Sequence, residues 1–527
     1  GKFSLSVGGK KMTSPLGAEG SAWMWQIAGK VSVKNLKTVI KLHDLTGFDG
    51  RCDAIYFTTE VGKMPPSDVK ELEAFRRQAL GLPDEAPVAG EYDLVVVGAG
   101  IAGMSAAVSA ARLGCRVALI NDRPVVGGNN SSEIRVHLGG RIEEGTYKEL
   151  GGLQKEFGPE KGGNAQPAEY YEDQKKMDWL AGEKNVSLFL NFRAIGVTKE
   201  GDKITSVIVK HIESGKELKF EAPLFSDCTG DGTIGYLAGA DYRMGREGRD
   251  EYGESIAPEK ADKLTMGSSV QWYSVDNKKS SPFPEFGYGV EFNDKNCEKV
   301  MMGEWTWETG MNFDQIKDFE RIRDYGMLVV YSNWSYLKNR MKENDQYKNR
   351  KLGWVAYVAG KRESRRLMGD YILKEDDITK NVSHEDASFA TTWSIDLHWQ
   401  DPKNSEHFPG NEFKAVTKHI LIHPYAVPYR CLYSRNVDNL FMAGRNISVT
   451  HVALGTVRVM RTTGMMGEVV GMAASLCKKY DVTPRGVYRS HLEDLKTLMK
   501  EGVNKKGLPN NQRYNEGGML KDKPVVQ

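Results

Sequence analysis

A glycine-rich turn between two buried strands constrains this chain more than any other feature. Asp93–Val97 (DLVVV) is a short Val-rich run, the pattern of a strand covered on both faces. Gly98, Gly100 and Gly103 follow as G-x-G-x-x-G. Ile101–Leu113 then reads as an Ala-rich helix closed by Gly114, and Arg116–Ile120 as a second buried strand. In such a βαβ unit Gly98 permits the tight turn, Gly100 lets backbone approach a pyrophosphate, and Gly103 lets the helix pack close to the strand. The helix N-terminus offers unpaired N–H groups to the phosphates. The expectation is a Rossmann-type dinucleotide site. The acid that binds the ribose belongs at the end of the second strand, but Asn121 stands there, with Asp122 next. Asn also hydrogen-bonds a hydroxyl, so both residues are ribose candidates.

The rest of the 527 residues divide around this unit, and the length predicts two to four domains. Residues 1–62 read as a β-rich segment, with short apolar runs at Ala22–Ala28, Leu36–Leu42 and Ala54–Thr58. The stretch from Ala22 to Thr58 resembles the closing strands of a jelly-roll carbohydrate-binding module. A jelly roll needs about eight strands, and there is room for half of them. Trp23 and Trp25 are either sugar-stacking or, more commonly for Trp, core. Residues 63–90 read as a helical linker, with Ser67 as the helix cap.

From residue 91 to 240 the pattern is α/β. After the βαβ unit come helical stretches at Tyr147–Phe157 and Ala168–Gly182, then a strand at Val186–Phe192. A meander (Ala194–Lys199, Ile204–His211, Glu217–Glu221) leads to a returning buried strand at Leu224–Asp227. That strand ends in CTGDG, where Asp227, Thr229, Gly230, Asp231 and Gly232 mark a close backbone approach. Residues 241–432 break the rhythm and hold seven of the ten tryptophans, which predicts a substrate domain of mixed α+β character. Residues 433–490 return to a buried strand and a glycine-bearing helix, and 491–527 form a C-terminal helix and tail.

Charge and cysteines exclude several classes. Lys+Arg 72 against Asp+Glu 70 leaves no single-sign field for nucleic acid or an anionic membrane. No apolar run approaches the roughly 18 residues of a membrane span. The expectation is a soluble protein, periplasmic or cytoplasmic. The six cysteines are scattered without C-x-x-C, so neither zinc nor an iron–sulfur cluster is predicted. His419 and His423 are four apart with no nearby third ligand, and no metal site is expected.

Three separated blocks, VVVGAGIAG…VVGGNNSSE, SDCTGDGTIGYLAGA and DNLFMAGRNISVTHVALGTVRVMRTTGMMGEVVGMAA, together resemble the bacterial FAD-dependent oxidoreductase family related to the flavoprotein subunit of heterodisulfide reductase. The resemblance implies a glutathione-reductase-like Rossmann FAD-binding domain of discontinuous sequence, with the substrate domain inserted. It implies that Gly98, Gly100, Gly103 and Asn121 or Asp122 serve the ADP half. Arg123, Gly127, Gly128, Asn129 and Ser132 would line the pyrophosphate and the approach to the flavin. Thr229, Gly230 and Asp231 would form a second contact loop, with Ala194 beside it. Gly444 and Arg445 would lie by the ribityl chain, and Val459–Thr463 would face the ring. The iron–sulfur cysteines of the heterodisulfide reductase relatives are missing. No second dinucleotide fingerprint follows residue 133, so electrons are expected to pass through the substrate, oxygen or an external carrier rather than NAD(P)H.

Hydride transfer between carbon and flavin needs a base, or in reverse an acid. His451, in NISVTHVALG, is the first candidate, because imidazole titrates near neutrality. Arg458 is either a holder of flavin or substrate carboxylate, or a structural ion pair. The blocks RESRRLMGDYIL, WSIDLHWQDP and HPYAVPYRCLYS supply His398, Tyr429 and Arg430 as further candidates lining the pocket. The reading is an FAD-dependent oxidoreductase moving hydride between flavin and a small organic or carbohydrate-derived substrate. Its alternatives are fumarate-reductase-like reduction of an activated double bond, and a glycan-binding protein with a vestigial flavin fold.

Overall fold

A computed structural model describes residues 1–20, 22–46 and 51–510. The chain divides into two compact units, residues 1–85 and 86–527. In the first, Phe3–Val7 is the centre of a three-stranded antiparallel sheet, between Lys10–Lys11 and Ile40–Asp44. Its core is small: Phe3, Leu5, Met12 and Leu16. The strands expected at Ala22–Ala28 and Ala54–Thr58 do not form, and Leu36–Leu42 pairs only from Ile40 onward. A short apolar run becomes a strand only where a neighbour takes its backbone hydrogen bonds. Trp23 is accordingly 69% exposed rather than core. The helix Val69–Ala79 is capped by Asp68, not Ser67; the Asp68 carboxylate accepts from the N–H groups of Lys70 and Glu71.

The second unit is built on two sheets. In chain order the elements are β1 (Val88–Glu91), β2 (Leu94–Val97), α1 (Ile101–Arg112), β3 (Val117–Ile120), α2 (Asp173–Ala181), β4 (Val186–Phe189), β5 (Phe192–Glu200), β6 (Lys203–His211), β7 (Glu217–Glu221) and β8 (Leu224–Asp227). Later come β9 (Glu308–Thr309), β10 (Ile395–Gln400), β11 (Ala415–Ile420), β12 (Leu440–Met442), α3 (His451–Val457) and α4 (Met460–Tyr480). A parallel sheet runs β12-β8-β2-β3-β4, and the last strand among the described residues closes it beside β8. Strands β2, β3 and β8 are buried at every residue, which explains their unbroken apolar sequence. The second sheet is the meander β5-β6-β7, extended by β1.

Helices α1 and α4 cross closely over the parallel sheet. A Cβ on Gly467 would collide with the Ala102 carbonyl, and one on Gly471 with that of Ala106. The stretch expected to be helical at Tyr147–Phe157 is helical only over Leu153–Phe157, because Gly151 takes φ +90° and turns the chain.

Within 241–432 short antiparallel pairs surround the helix Phe319–Asn339. Trp272, Trp307 and Trp334 make a second core, with ring centroids 5.3 and 5.8 Å apart in edge-to-face contact. β10 and β11 form a hairpin whose register sets Asp396 opposite His419 and His398 opposite Thr417.

Candidate functional site

A cavity of about 560 Å³ opens at the ends of the parallel strands β2, β3 and β8. Gly98 leaves β2 at φ +101°, and a Cβ there would strike the Cys228 carbonyl. Gly103 does not line the cavity. It lies one turn into α1, where a Cβ would strike the Gly98 carbonyl, so its role is packing. Gly100 begins α1 without any side-chain cap, leaving first-turn N–H groups for a ligand. A second turn, Gly127–Gly128, faces it through a bridge between Gly100 and Gly127. A Cβ on Gly100 or Gly128 would enter the gap between the two turns, meeting only the other glycine's Cα at 3.9 or 3.1 Å, and this bare-backbone cradle fits a dinucleotide pyrophosphate.

The remaining lining includes Asn121, Asp122, Arg123, Asn129, Ala194, Thr229, Gly230, Asp231, Gly444, Arg445, Val459 and Thr463. Several of these have their groups already engaged, among them Asn121, Arg123 and Asp231. Asn121 donates its amide to the carbonyls of Arg123 (3.2 Å) and Val125 (2.8 Å) and accepts from Ala99 N–H (3.1 Å). Its amide is spent on shaping the loop, whereas the neighbouring Asp122 is exposed at the cavity lining. Arg123 pairs with Glu133. Asp231 is gripped by Lys361 (2.6 Å), Arg445 (2.9 Å) and the Ser364 hydroxyl (2.8 Å). Burial alone would raise its carboxyl, but Lys361 and Arg445 hold it well below the usual range. The buried Nε of Arg445 has no hydrogen-bond partner among the described residues, which leaves a donor at the cavity lining. Ser132, expected in the lining, is outside it; its N–H donates to Asp173.

The inserted segment supplies Arg362, Asp396, His398 and His419 to the same cavity, beside Trp305 and Trp393, and Arg458 joins this polar cluster from the end of α3. Asp396 and His398 are two apart on β10, so they share a face, and the hairpin register sets His419 across from Asp396. Arg458 Nη2 donates to Asp396 Oδ2 (2.9 Å) and to His398 Nε2 (2.9 Å). A guanidinium only donates, so Nε2 is the acceptor and Nδ1 carries the proton given to Glu308 Oε2 (2.6 Å). Burial pushes the Glu308 carboxyl up, but Arg362 (3.4 Å) and His398 outweigh it and hold it at about 2. Burial likewise raises Asp396, and Arg458 with His398 brings it well below the carboxylate range. Trp393 Nε1 donates to Asp396 Oδ2 (3.1 Å). Asp396 Oδ1, by contrast, is buried without a hydrogen bond of ordinary length; His398 Nε2 lies 3.5 Å away and His419 Nδ1 3.7 Å.

Three predicted catalytic residues are elsewhere. His451 opens α3, its N–H on Glu247 and its Nδ1 on Glu363 (2.9 Å); it lines a different cavity, of about 270 Å³, which has His398 in common with the first. Tyr429 is fully buried and donates to the Pro484 carbonyl (3.0 Å). Arg430 makes a two-pronged pair with Asp386 (2.9 Å each). Neither lines the cavity at the strand ends or the smaller one beside it. In the sequence His419 stands out only as half of a possible metal pair with His423, and Asp396, Glu308 and Arg362 do not stand out at all. The alternation in IDLHWQ signals that Asp396 and His398 share a face, whereas nothing local marks Glu308. Among the described residues no three potential ligands gather as a metal site, and no helix is long and apolar enough to cross a membrane.

The family model for FAD dependent oxidoreductases matches residues 93–499. No curated protein matches the chain. Solved structures are similar only distantly. A geranylgeranyl bacteriochlorophyll reductase-like protein from Thermoplasma acidophilum is 14% identical over 78% of this chain and 83% of its own, with a TM-score of 0.33. A myxobacterial chondrochloren halogenase is 13% identical over 78% and 79%, also at 0.33. A quinol–fumarate reductase is 10% identical over 78% and 75%, at 0.30.

Proposed function

The chain belongs to the FAD dependent oxidoreductase family and is an FAD-dependent oxidoreductase; from that premise we propose that it transfers hydride between the flavin and a small hydroxyl-bearing substrate, carbohydrate-derived, held against Asp396 and His398. One observation carries this reading: a buried carboxylate oxygen, Asp396 Oδ1, without a full hydrogen bond and flanked by two imidazoles in the cofactor cavity. A buried acceptor left open costs about 1–3 kcal/mol, and a substrate hydroxyl satisfies it.

Bound FAD supplies the hydride acceptor; the residues supply the proton handling. The substrate O–H donates to Asp396 Oδ1. As hydride leaves carbon, the proton passes to His398 Nε2. The resulting imidazolium gives up the hydrogen bond that Nε2 accepted from Arg458 and donates from Nδ1 to Glu308 and from Nε2 to Asp396, so each of its N–H groups faces a carboxylate. Arg458 holds Asp396 in place throughout. Trp305, with its ring 5.3 Å from that of His398, and Trp393 offer flat apolar walls of the kind a sugar ring stacks on.

The arginines here are already paired, Arg362 with Glu308 and Arg458 with Asp396, which argues against a dicarboxylate held as in fumarate-reductase-like double-bond reduction. Within this proposal residues 91–240 and 433–490 form a glutathione-reductase-like FAD domain, related to the heterodisulfide reductase flavoprotein subunit, and 241–432 the substrate domain. Electrons leave to oxygen or an external carrier. Anaerobic mixing with a panel of sugars and alcohols tests it: bleaching of the flavin is expected in the native protein. His398→Gln should keep FAD and lose about 10²-fold or more in the bleaching rate. No bleaching by any of them, with rapid reoxidation of pre-reduced flavin by an enoate, would overturn the reading.

A further inference from the structure

Directly behind the Gly127–Gly128 turn lies a lysine with no exposed surface, Lys176 on α2. Its Nζ donates to the carbonyls of Asn130 (2.6 Å) and Tyr171 and stands 3.6 Å from Asp173 Oδ1. Its stem packs so tightly under Gly127 that a Cβ there would come within 3.2 Å of Lys176 Cδ. Asp173 in turn accepts the Ser132 N–H at 3.0 Å. Lysine is almost never fully buried without a reason, and the hydride chemistry above does not use this one.

We infer that Lys176 is a positioning residue for the flavin nucleotide: its side chain clips residues 127–132 into the phosphate cradle and sets a buried positive charge behind it, so that FAD affinity falls as the medium becomes alkaline. The inference rests on FAD dependence alone and is independent of the substrate reading.

Hydrogen bonds and charge act separately here. Carbonyl oxygens accept from an amine as well as from an ammonium, though more weakly, so the clip loosens but outlasts loss of the proton, whereas the charge attraction for pyrophosphate does not. Burial pushes the ammonium down to about 8, against the opposing pull of Asp173. The charged groups facing it are Asp173, Glu172 and Lys175, and Lys175 is itself paired with Glu172 (3.2 Å). A bound pyrophosphate favours the protonated amine. Affinity is therefore full below about pH 8 and declines above it, as the free protein loses that proton before binding.

The test is titration of the FAD-stripped full chain with FAD, followed by flavin fluorescence, from about pH 6.5 to about pH 9. The native protein should weaken several-fold across the range. Lys176→Met should bind about tenfold more weakly at pH 7, with the slope gone. Asp173→Asn keeps an acceptor for Ser132 but removes the counter-charge, so its decline should begin at lower pH. Native-like affinity and slope in Lys176→Met would overturn the inference. If that variant does not fold, Asp173→Asn decides alone: a profile displaced to lower pH supports the inference, and an undisplaced one overturns it.

Discussion

Asn121 illustrates how a residue in a motif position can serve the motif without touching its ligand. Its amide closes the loop between Ala99, Arg123 and Val125, and a carboxylate there would face two carbonyls with no proton to offer. Asn121→Asp is expected to cost about 2 kcal/mol or more, read as a lower Tm and weaker FAD retention, whereas restoring the motif's usual acid would on sequence grounds be harmless. Asp122→Ala should leave Tm unchanged and weaken FAD binding, measured by fluorescence titration. Glu468 makes a pH prediction at the same scale. It is fully buried on α4, and burial lifts its carboxyl to about 8 even though the N–H groups of Gly151 and Leu153 donate to it. Its folded-state value lies above that of the unfolded chain, so the native state holds the extra proton between about 4.5 and 8. Stability should fall across that window by about 1.4 kcal/mol per pH unit. Glu468→Gln keeps the acceptor for both N–H groups, and its thermal unfolding should lose this slope while matching the native protein near pH 5.

At the scale of elements, two contacts organise the cofactor unit. Helices α1 and α4 approach because Gly467 and Gly471 present bare backbone to Ala102 and Ala106. Gly467→Ala should cost about 1–3 kcal/mol through overpacking; an unchanged denaturant midpoint would show that the helices have room. The β10–β11 hairpin is the other contact. Its two-residue alternation brings Asp396 and His398 to one face and its register adds His419, so a one-residue slip would turn all three away from the cavity. The strands β2, β3, β7 and β8 were legible because a fully buried or alternating strand writes its burial directly into its residues. The N-terminal runs were not, because a short apolar stretch does not say whether a partner strand exists for it.

At the scale of the whole molecule, the cavity lining lies entirely between Val97 and Thr463, within the unit 86–527. A chain beginning at Ala86 is therefore expected to fold and to retain FAD, checked by its visible spectrum after gel filtration; a colourless product would show that residues 1–85 are needed for the site. The sequence by itself determined the nucleotide chemistry, since G-x-G-x-x-G, its flanking strands and the CTGDG turn are local, and their spacing already encodes a phosphate cradle. Only the tertiary structure decided which side chains line the cavity. His398 was readable as a candidate, but its partner Glu308 lies 90 positions before it on β9 and Arg458 lies 60 positions after it. It also decided that His451, Tyr429 and Arg430 belong elsewhere. A histidine or arginine looks the same in sequence whether its charge is spent on a buried carboxylate or left for a ligand, and that choice is made by residues the chain brings together only on folding.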